Sequence, residues 1–354
     1  MVNVGAKMDE RMEINILDYR LKVMSIAKPA IERFTHALID VLFFKSYLSG
    51  GCANNQHGFV SVTETDADYS VIVEEEAYKA FEGKSQDVKV NEQTWLPLVA
   101  STGPAMVVQN AAGISKIANS VVIPLADRGI SVYPLSTYKT DYVLIQEADF
   151  DKVCEVLAQN FRITREGHLQ SSEIVVEPTR VQKALPSGAG NSRALTHTFD
   201  CSDTNTYCMT SMDSKSLEPH GLAIIKALLY SGHQSEVQTS YFFNLSIIEQ
   251  DISLILNVTL LNKFPAHLFF DNSEYWRLIT IGDMPEGVGF RQAGIVAQIS
   301  EPIASADISE YYISSFYYGH AFVPFDQFDE VRRLLIKKQN SQKAAAAAKL
   351  SNGL

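Results

Sequence analysis

The sequence contains no run of 18 apolar residues, so no segment is expected to cross a membrane as a helix. Its opening stretch, MVNVGAKMDERMEIN, is polar and mixed in charge and lacks the apolar core of a secretory signal. Cysteine is scarce, with four residues and no CxxC pair, which favours reduced thiols over a disulfide framework. We therefore expect a cytosolic protein that does not bind membranes.

Positive charge is also in deficit. Lys and Arg number 30 against 41 Asp and Glu, which gives a formal net charge of −11. Nucleic acids and anionic membrane surfaces both require clustered basic side chains, so neither is an expected partner. The 354 residues are 46% hydrophobic, which is enough for more than one buried core.

Catalytic and metal-binding motifs are missing. The sequence has no P-loop, GxSxG, HExxH or kinase motif. Its eight histidines are scattered, and His36 and His320 have no acid or cysteine at ligand spacing. We expect no catalytic residues, no metal and no cofactor, and hence a protein that is not an enzyme.

What the sequence does contain is an internal repeat. Residues 130–157 align without gaps to residues 308–335 at an offset of 178, and eight pairs are identical: Ile130/Ile308, Ser131/Ser309, Tyr133/Tyr311, Ser136/Ser314, Phe150/Phe328, Asp151/Asp329, Val153/Val331 and Leu157/Leu335. Residues 59–73 similarly resemble 242–256, where Asp68 matches Asp251 and Ser70 matches Ser253. Two homologous halves follow, at roughly 12–165 and 195–340.

Each half divides again into two modules with the pattern βαββα and room for a final strand. This order is typical of the ferredoxin-like fold, so the predicted class is α+β with four tandem modules. The expected boundaries are 13–85, 92–165, 198–266 and 274–340 for the modules, 166–197 for a flexible linker and 341–354 for a disordered tail.

Two segments allow alternative interpretations. EGVGFRQAG (286–294) is either a backbone that approaches a ligand closely, because glycine has no Cβ, or a turn followed by a helix cap. Tyr138–Asp141 lies between two predicted strands and is either a hairpin turn or an exposed polar and aromatic patch for a partner.

A series of motifs resembles one known family. KVMSIAKP, SVTETDADYSVIVEEE, AAGISKIA, ISVYPLSTYKTDY, EYWRLITIG, GFRQAGIVAQI and ADISEYYISSFYYGHAFVP occur in that order. Together they are similar to the CASTOR family of cytosolic arginine sensors over almost all of residues 13–337. The resemblance implies four ACT domains, a homodimer, and free arginine bound between the second and fourth domains. It also implies that the unliganded protein binds the GATOR complex and thereby regulates TOR signalling.

The resemblance also implies site residues. The ligand would be held by Ser131, Val132, Gly289, Phe290, Gln292, Gly294, Ile295, Asp307, Ser315, Phe316, Tyr318 and Gly319. The GATOR-type partner would be bound by Tyr138, Lys139 and Asp141, where Lys139 replaces the glutamine of the family.

Two departures bear on the ligand. Gly319 stands where the family has the acid that pairs with the guanidinium, and the repeat matches Gly319 to Asp141. Gln292 stands where the family has a glutamate. Each lost charge-assisted contact costs about 1.5–3 kcal/mol. Tyr317, Tyr318 and His320 are expected to make the distal pocket aromatic. Three hypotheses remain open: weak arginine binding, a different amino acid, or a regulator without a ligand.

Overall fold

The computed structural model describes residues 13–44, 57–81, 87–101, 117–166, 172–176, 197–201, 203–230, 241–270, 274–282 and 294–351. A short strand, β1 (Glu13–Ile16), precedes the first of four modules. Module one contains β2 (Leu21–Ala27), α1 (Ile31–Ile39), β3 (His57–Thr65), β4 (Asp68–Glu74), α2 (Glu75–Tyr78) and β5 (Val88–Val90). Its antiparallel sheet has the strand order β3-β4-β2-β5, which is the order of a ferredoxin-like sheet.

Helix α1 shows why the first module folds as its sequence indicates. Pro29 opens a short 3-10 turn, where its fixed φ and missing N–H are tolerated. Ile31, Phe34 and Leu38 then repeat at helical spacing and are all buried against the sheet.

Module two adds β6 (Trp95–Ser101), a π-helical turn (Ala118–Val122), α3 (Ile123–Asp127), β7 (Val132–Ser136), β8 (Asp141–Gln146), α4 (Phe150–Leu157) and β9 (Arg162–Glu166). Gly129, at φ +71°, ends the helical segment with a left-handed residue, as its sequence position predicts. Beyond β9 lies β10 (Ser172–Val176).

The second half repeats the plan. Strand β11 (Phe199–Cys201) precedes module three, which contains β12 (Tyr207–Met212), α5 (Gly221–Tyr230), β13 (Phe242–Glu249), β14 (Asp251–Asn257) and α6 (Val258–Leu261). Module four contains β15 (Tyr275–Ile281), α7 (Ile295–Ser305), β16 (Tyr311–Ser314), β17 (Gly319–Pro324) and α8 (Phe328–Ser351).

The strand pairing differs from the expected module boundaries at three strands. Strand β1, expected in module one at 13–85, instead pairs with β6 and β9 in the sheet of module two. Strand β11, expected in module three at 198–266, pairs with β15 of module four. Strand β5 completes module one beyond residue 85. Alternating polarity identifies a strand but does not name its partner, so the sequence could not place these strands.

The expected linker and tail both contain regular structure. Within 166–197, β10 pairs antiparallel with β9, so part of the predicted flexible linker is a sheet edge. Helix α8 continues to Ser351, into the segment from 341 that was expected to be a disordered tail. The alanine run of this segment explains the difference, because alanine has the highest intrinsic helix propensity.

Two joins hold the modules together. Strands β3 and β13 pair antiparallel from Phe242↔Thr65 to Glu249↔His57, which fuses the sheets of modules one and three. Buried Asn244 strengthens this join, since its Nδ2 donates to Ser61 Oγ at 3.1 Å and to Thr63 Oγ1 at 3.0 Å. Modules two and four meet where Leu135 of β7 pairs with Ile313 of β16.

The structure also describes three of the cysteines. They are the free thiols Cys154, Cys201 and Cys208. In the part of the chain that the structure describes, no helix is long and apolar enough to cross a bilayer.

Candidate functional site

A narrow cleft lies between modules two and four. The helices of the two modules, α3 with its π-helical turn and α7, pack against each other above the β7–β16 junction. The cleft has a cavity volume of about 20 Å³, which is the room that one water molecule needs. Its lining residues are Val122, Ala126, Val132, Ile281, Gly282, Gly294, Ile295, Val296, Tyr312, Ser314, Ser315, Tyr317, Tyr318 and Gly319.

One wall of the cleft is the start of helix α7. Gly294 precedes the helix with φ +93°, a left-handed conformation that favours glycine, and it has no side chain to cap the first turn. Ile295 and Val296 of that turn line the cleft. The first N–H groups of a helix have no partner within the helix and carry a partial positive charge, so this wall is suited to a carboxylate.

The opposite end of the cleft is occupied by a tyrosine. A Cβ atom built on Gly319 would lie 1.9 Å from Tyr312 Oη and 2.7 Å from Tyr312 Cζ. The phenol of Tyr312, which is 1% exposed, therefore fills the space that any side chain at residue 319 would take. Burial raises the pKa of Tyr312 above its ordinary value, and the charge of Glu310 adds to this effect, so the phenol stays neutral.

The structure brings six of the twelve predicted ligand residues together in the cleft: Val132, Gly294, Ile295, Ser315, Tyr318 and Gly319. Gly289, Phe290 and Gln292 lie outside the described residues.

Three predicted residues lie elsewhere. Ser131 precedes β7 and is half-buried, beside the cleft residue Val132. Asp307 is exposed in the turn after α7, with φ +58°. Phe316 is buried, and its ring centroid lies 5.1 Å from that of Tyr317.

The expected aromatic end of the pocket needs correction at His320. Tyr317 and Tyr318 line the cleft, but His320 points to the other face of the sheet, where its ring centroid is 4.8 Å from that of Phe242. Gly319 and His320 are neighbours in β17, and successive residues of a strand face opposite sides. Only one of the two can therefore face the cleft.

Sequence reasoning missed Tyr312 and Gly282. The repeat aligns Tyr312 with Pro134, so the exchange of proline for tyrosine at a matched position was the available signal. Gly282, at φ +140°, lies against the Tyr318 ring, because a Cβ there would be 3.0 Å from Tyr318 Cδ1.

The predicted partner residues lie in a hairpin turn between β7 and β8. Thr137 organises it, since its N–H and hydroxyl both donate to the carbonyl of Thr140, at 2.9 and 2.7 Å. Tyr138 donates its N–H to Ser253 Oγ at 2.8 Å, and Lys139 forms an ion pair with Asp251. The segment is a hairpin turn that rests on module three, and this geometry leaves its role toward a partner open.

An equivalent turn in module four rests on module one. Ser315 N–H donates to the carbonyl of Tyr318 at 2.7 Å, and Phe316 N–H donates to Ser70 Oγ. Ser70 and Ser253 are the residues that the repeat matches, so the two halves dock on each other in the same way.

A buried carboxyl lies at the edge of the same interface. Glu310 is fully buried, and neither of its oxygens has a hydrogen-bond partner among the described residues. Burial raises the pKa of Glu310 to about 8, while the nearby Ser300 hydroxyl opposes the shift and the Asp141 charge adds to it. Over the described residues, no group of three His, Cys, Asp or Glu side chains could hold a metal ion.

Family comparisons match most of the chain. Residues 20–86 match the N-terminal domain of cytosolic arginine sensor for mTORC1 subunit 1. Residues 197–273 match the ACT-like domain of cytosolic arginine sensor for mTORC1 subunit 1/2. Residues 103–159 and 273–346 match the ACT domain, so the predicted α+β fold with ACT modules is confirmed.

Curated relatives match at full length. Cytosolic arginine sensor for mTORC1 subunit 1 from Pongo abelii is 37% identical over 338 residues, which cover 93% of this chain and 98% of the relative. The protein of the same name from Homo sapiens gives the same values. The protein from Mus musculus is 36% identical over 341 residues, covering 94% and 98%.

Proposed function

The chain belongs to the family of cytosolic arginine sensors for mTORC1, and on this premise we propose that it is a regulatory protein that binds a free amino acid between modules two and four. The observation that carries the proposal is the meeting of the α7 N-terminus with the ends of β7 and β17 in one cleft. This cleft has no catalytic constellation among its described residues, which suits a regulator rather than an enzyme.

The two ends of the cleft suit the two ends of an amino acid. The carboxylate is bound by the N–H groups of the first turn of α7, at Ile295 and Val296. The side chain then extends toward Gly319, where the Tyr312 hydroxyl offers a neutral hydrogen-bonding group. Arginine is the ligand named for the relatives.

Arginine affinity is expected to be low because no acid stands at residue 319. A buried charge-assisted partner contributes about 1.5–3 kcal/mol, so its loss weakens binding about 10-fold to 100-fold. An amino acid with a neutral side chain forms no ion pair there, so the absence of an acid at residue 319 does not weaken its binding. Since the cleft has a volume of about 20 Å³, every amino acid requires the cleft to open. Opening of the cleft therefore couples amino-acid binding to a change in the conformation of the protein.

Thermal unfolding with each of the twenty amino acids at millimolar concentration tests the proposal. At least one is expected to raise Tm, since a ligand of the folded state stabilises it. Ile295→Ala keeps the backbone N–H groups but removes a side chain that lines the cleft, and it should reduce the shift. Ile336→Ala, an exposed residue of α8, is the matched control and should leave the shift unchanged. If no amino acid raises Tm, the protein is not an amino-acid sensor.

We further propose that the turn with Tyr138, Lys139 and Asp141 binds a GATOR-type complex and so regulates TOR signalling. Lys139 remains 46% exposed although it is paired with Asp251, and Tyr138 is half-buried beside it. Tyr138→Ala should abolish capture of the purified complex. Tyr275→Ala, another partly exposed tyrosine, should not. Equal capture by both variants would exclude the turn as the partner site.

A second candidate function is a regulator that binds its partner without any ligand. The small volume of the cleft favours it. In that case Tyr138→Ala abolishes capture of the complex, but none of the twenty amino acids changes capture by the parent protein. Release by any one of them favours the sensor.

A cytosolic homodimer is the proposed state of the protein. Exposed apolar side chains lie close together on the helical side of modules one and three, because the Phe43 ring contacts Gly221 and the next residues, Phe44 and Leu222, are 73% and 68% exposed. Light scattering of the parent and of Leu222→Asp tests this. A dimer that becomes a monomer is expected, and a monomeric parent would contradict the proposal.

A further inference from the structure

A second, larger cavity lies on the opposite face of the module-four sheet. Its volume is about 430 Å³, within the range of pockets that bind small molecules. It is bounded by the β3–β4 turn of module one, the start of β13 in module three, and strands β11, β15 and β17. Tyr318 and Gly282 line both this cavity and the cleft, but the sheet separates the rest of their linings.

The charge of the cavity is negative. Asp66 and Asp200 line it, and the described residues of its lining include neither lysine nor arginine. Asp66 Oδ1 accepts the N–H of Tyr241 at 3.0 Å, which fixes the carboxylate at the wall. Burial raises the pKa of Asp66, although this hydrogen bond and the charge of Lys28 oppose the shift. A partly desolvated carboxylate of this kind gains from a cationic partner.

Aromatic rings form another part of the lining. Tyr241, Tyr318 and His320 contribute them, and the ring centroids of Tyr318 and His320 are 6.3 Å apart. The Tyr241 ring already has one cation near it, because Lys28 Nζ lies 5.7 Å from its centroid. Aromatic faces attract amino and guanidinium groups at such distances.

His320 supplies an acceptor without a partner. Its Nε2 lies 3.0 Å from Ser315 Oγ. The Ser315 hydroxyl donates to the Tyr318 carbonyl, so the hydrogen-bond network assigns the ring proton to Nε2. Nδ1 is then a lone-pair acceptor that is itself buried behind the cavity wall, and it has no partner among the described residues. Burial lowers the pKa of His320 to about 3, so the ring is neutral.

We propose that this cavity is a second ligand site, separate from the amino-acid cleft, that binds an organic cation with an amino or guanidinium group. Two carboxylates and two tyrosine rings favour a positively charged hydrogen-bond donor. The ligand needs no carboxylate, because no lysine or arginine is found among the described lining residues. A ligand bound in this cavity would affect the cleft through Tyr318, because Tyr318 lines both.

Calorimetric titration with agmatine tests the proposal, because agmatine carries amino and guanidinium groups but no carboxylate. The parent protein should bind it. Asp200→Asn, at an exposed residue where folding is not at risk, should weaken binding about 10-fold to 100-fold. Asp66→Asn should act in the same direction, and it keeps an oxygen for the Tyr241 N–H. Asp151→Asn, an exposed residue of α4, is the matched control and should bind like the parent.

Two outcomes would overturn the proposal. One is a parent protein that shows no heat of binding with millimolar agmatine. The other is an Asp200→Asn variant that binds agmatine as tightly as the parent. Val132→Ala, in the cleft, distinguishes the two sites. If it weakens agmatine binding and Asp200→Asn does not, the cation binds in the cleft. In the thermal experiment, a response to an amino acid that Asp200→Asn leaves unchanged comes from the cleft, so the two proposals can fail separately.

Discussion

At the scale of single residues, Glu310 has the most unusual environment. It is buried without a hydrogen-bond partner in the described part of the chain, and burial raises its pKa from 4.5 to about 8. Between these two values the folded protein keeps a proton that the unfolded chain has lost. Stability is therefore present below pH 5 and falls as pH rises toward and through 8.

We expect Glu310→Gln to remove this dependence, because the amide has the shape of the protonated acid and does not ionise. Relative to the variant, the parent should lose on the order of 4 kcal/mol of unfolding free energy between pH 5 and pH 8.5. Urea denaturation at several pH values measures it. Glu330→Gln, exposed on α8, is the control and should follow the parent. Parallel profiles for the parent and Glu310→Gln would contradict the assignment.

We expect the pair Gly319 and Tyr312 to determine which ligands the cleft accepts. Gly319→Asp alone should not raise arginine affinity, because its Cβ would lie 1.9 Å from Tyr312 Oη. In Tyr312→Ala the space is open, and adding Gly319→Asp should then raise arginine affinity at least 10-fold over Tyr312→Ala alone. Calorimetry of the four proteins measures the coupling. A double variant that binds arginine no more tightly than Tyr312→Ala would show that the cleft does not hold a guanidinium.

The sequence predicts part of the cleft but not all of its lining residues. The repeat and the family resemblance bring Val132, Gly294 and Gly319 to one cleft, because each follows a motif with a fixed place in the module. The repeat marks Tyr312 as different from Pro134, but it does not show that the Tyr312 ring fills the space beside Gly319, because the two residues lie on different strands. Glu310 could not be predicted, because burial depends on how modules two and four pack.

At the scale of secondary-structure elements, the two docked turns are the features that the repeat predicts best. In each, a backbone N–H donates to a buried serine of the other half: Tyr138 to Ser253 and Phe316 to Ser70. The strands and helices of each module follow from periodicity. The partner of β1 and the helical course of the alanine-rich tail do not, because pairing and packing override local pattern.

We expect Ser70→Ala and Ser253→Ala to lower the free energy of unfolding by similar amounts, about 1–3 kcal/mol each, because each leaves a backbone N–H without its acceptor. Ser305→Ala, at an exposed helical residue, should change it by less than about 0.5 kcal/mol. Denaturant titration measures all three. A large loss in one turn and none in the other would show that the turns are not equivalent.

At the scale of the whole molecule, each half makes extensive contacts with the other half, so the two halves are not independent units along the chain. Module one joins module three through β3 and β13, and module two joins module four at Leu135 and Ile313. The two hairpin turns connect these pairs. The turn of module two contacts module three, and the turn of module four contacts module one. The cleft and the larger cavity are both lined by residues of the two halves, so neither is complete in an isolated half.

Two separate chains, 1–185 and 186–354, should therefore assemble when they are expressed together. In either half alone, β3 or β13 becomes an open sheet edge with buried side chains exposed, which favours association. A tag on the first chain should recover the second in equal amount, and the complex should elute at the size of the intact protein. Ser246→Pro, which removes a β13 N–H in the middle of the join, should abolish recovery. Two halves that fold and elute separately would show that the joins are too weak to hold the four modules together.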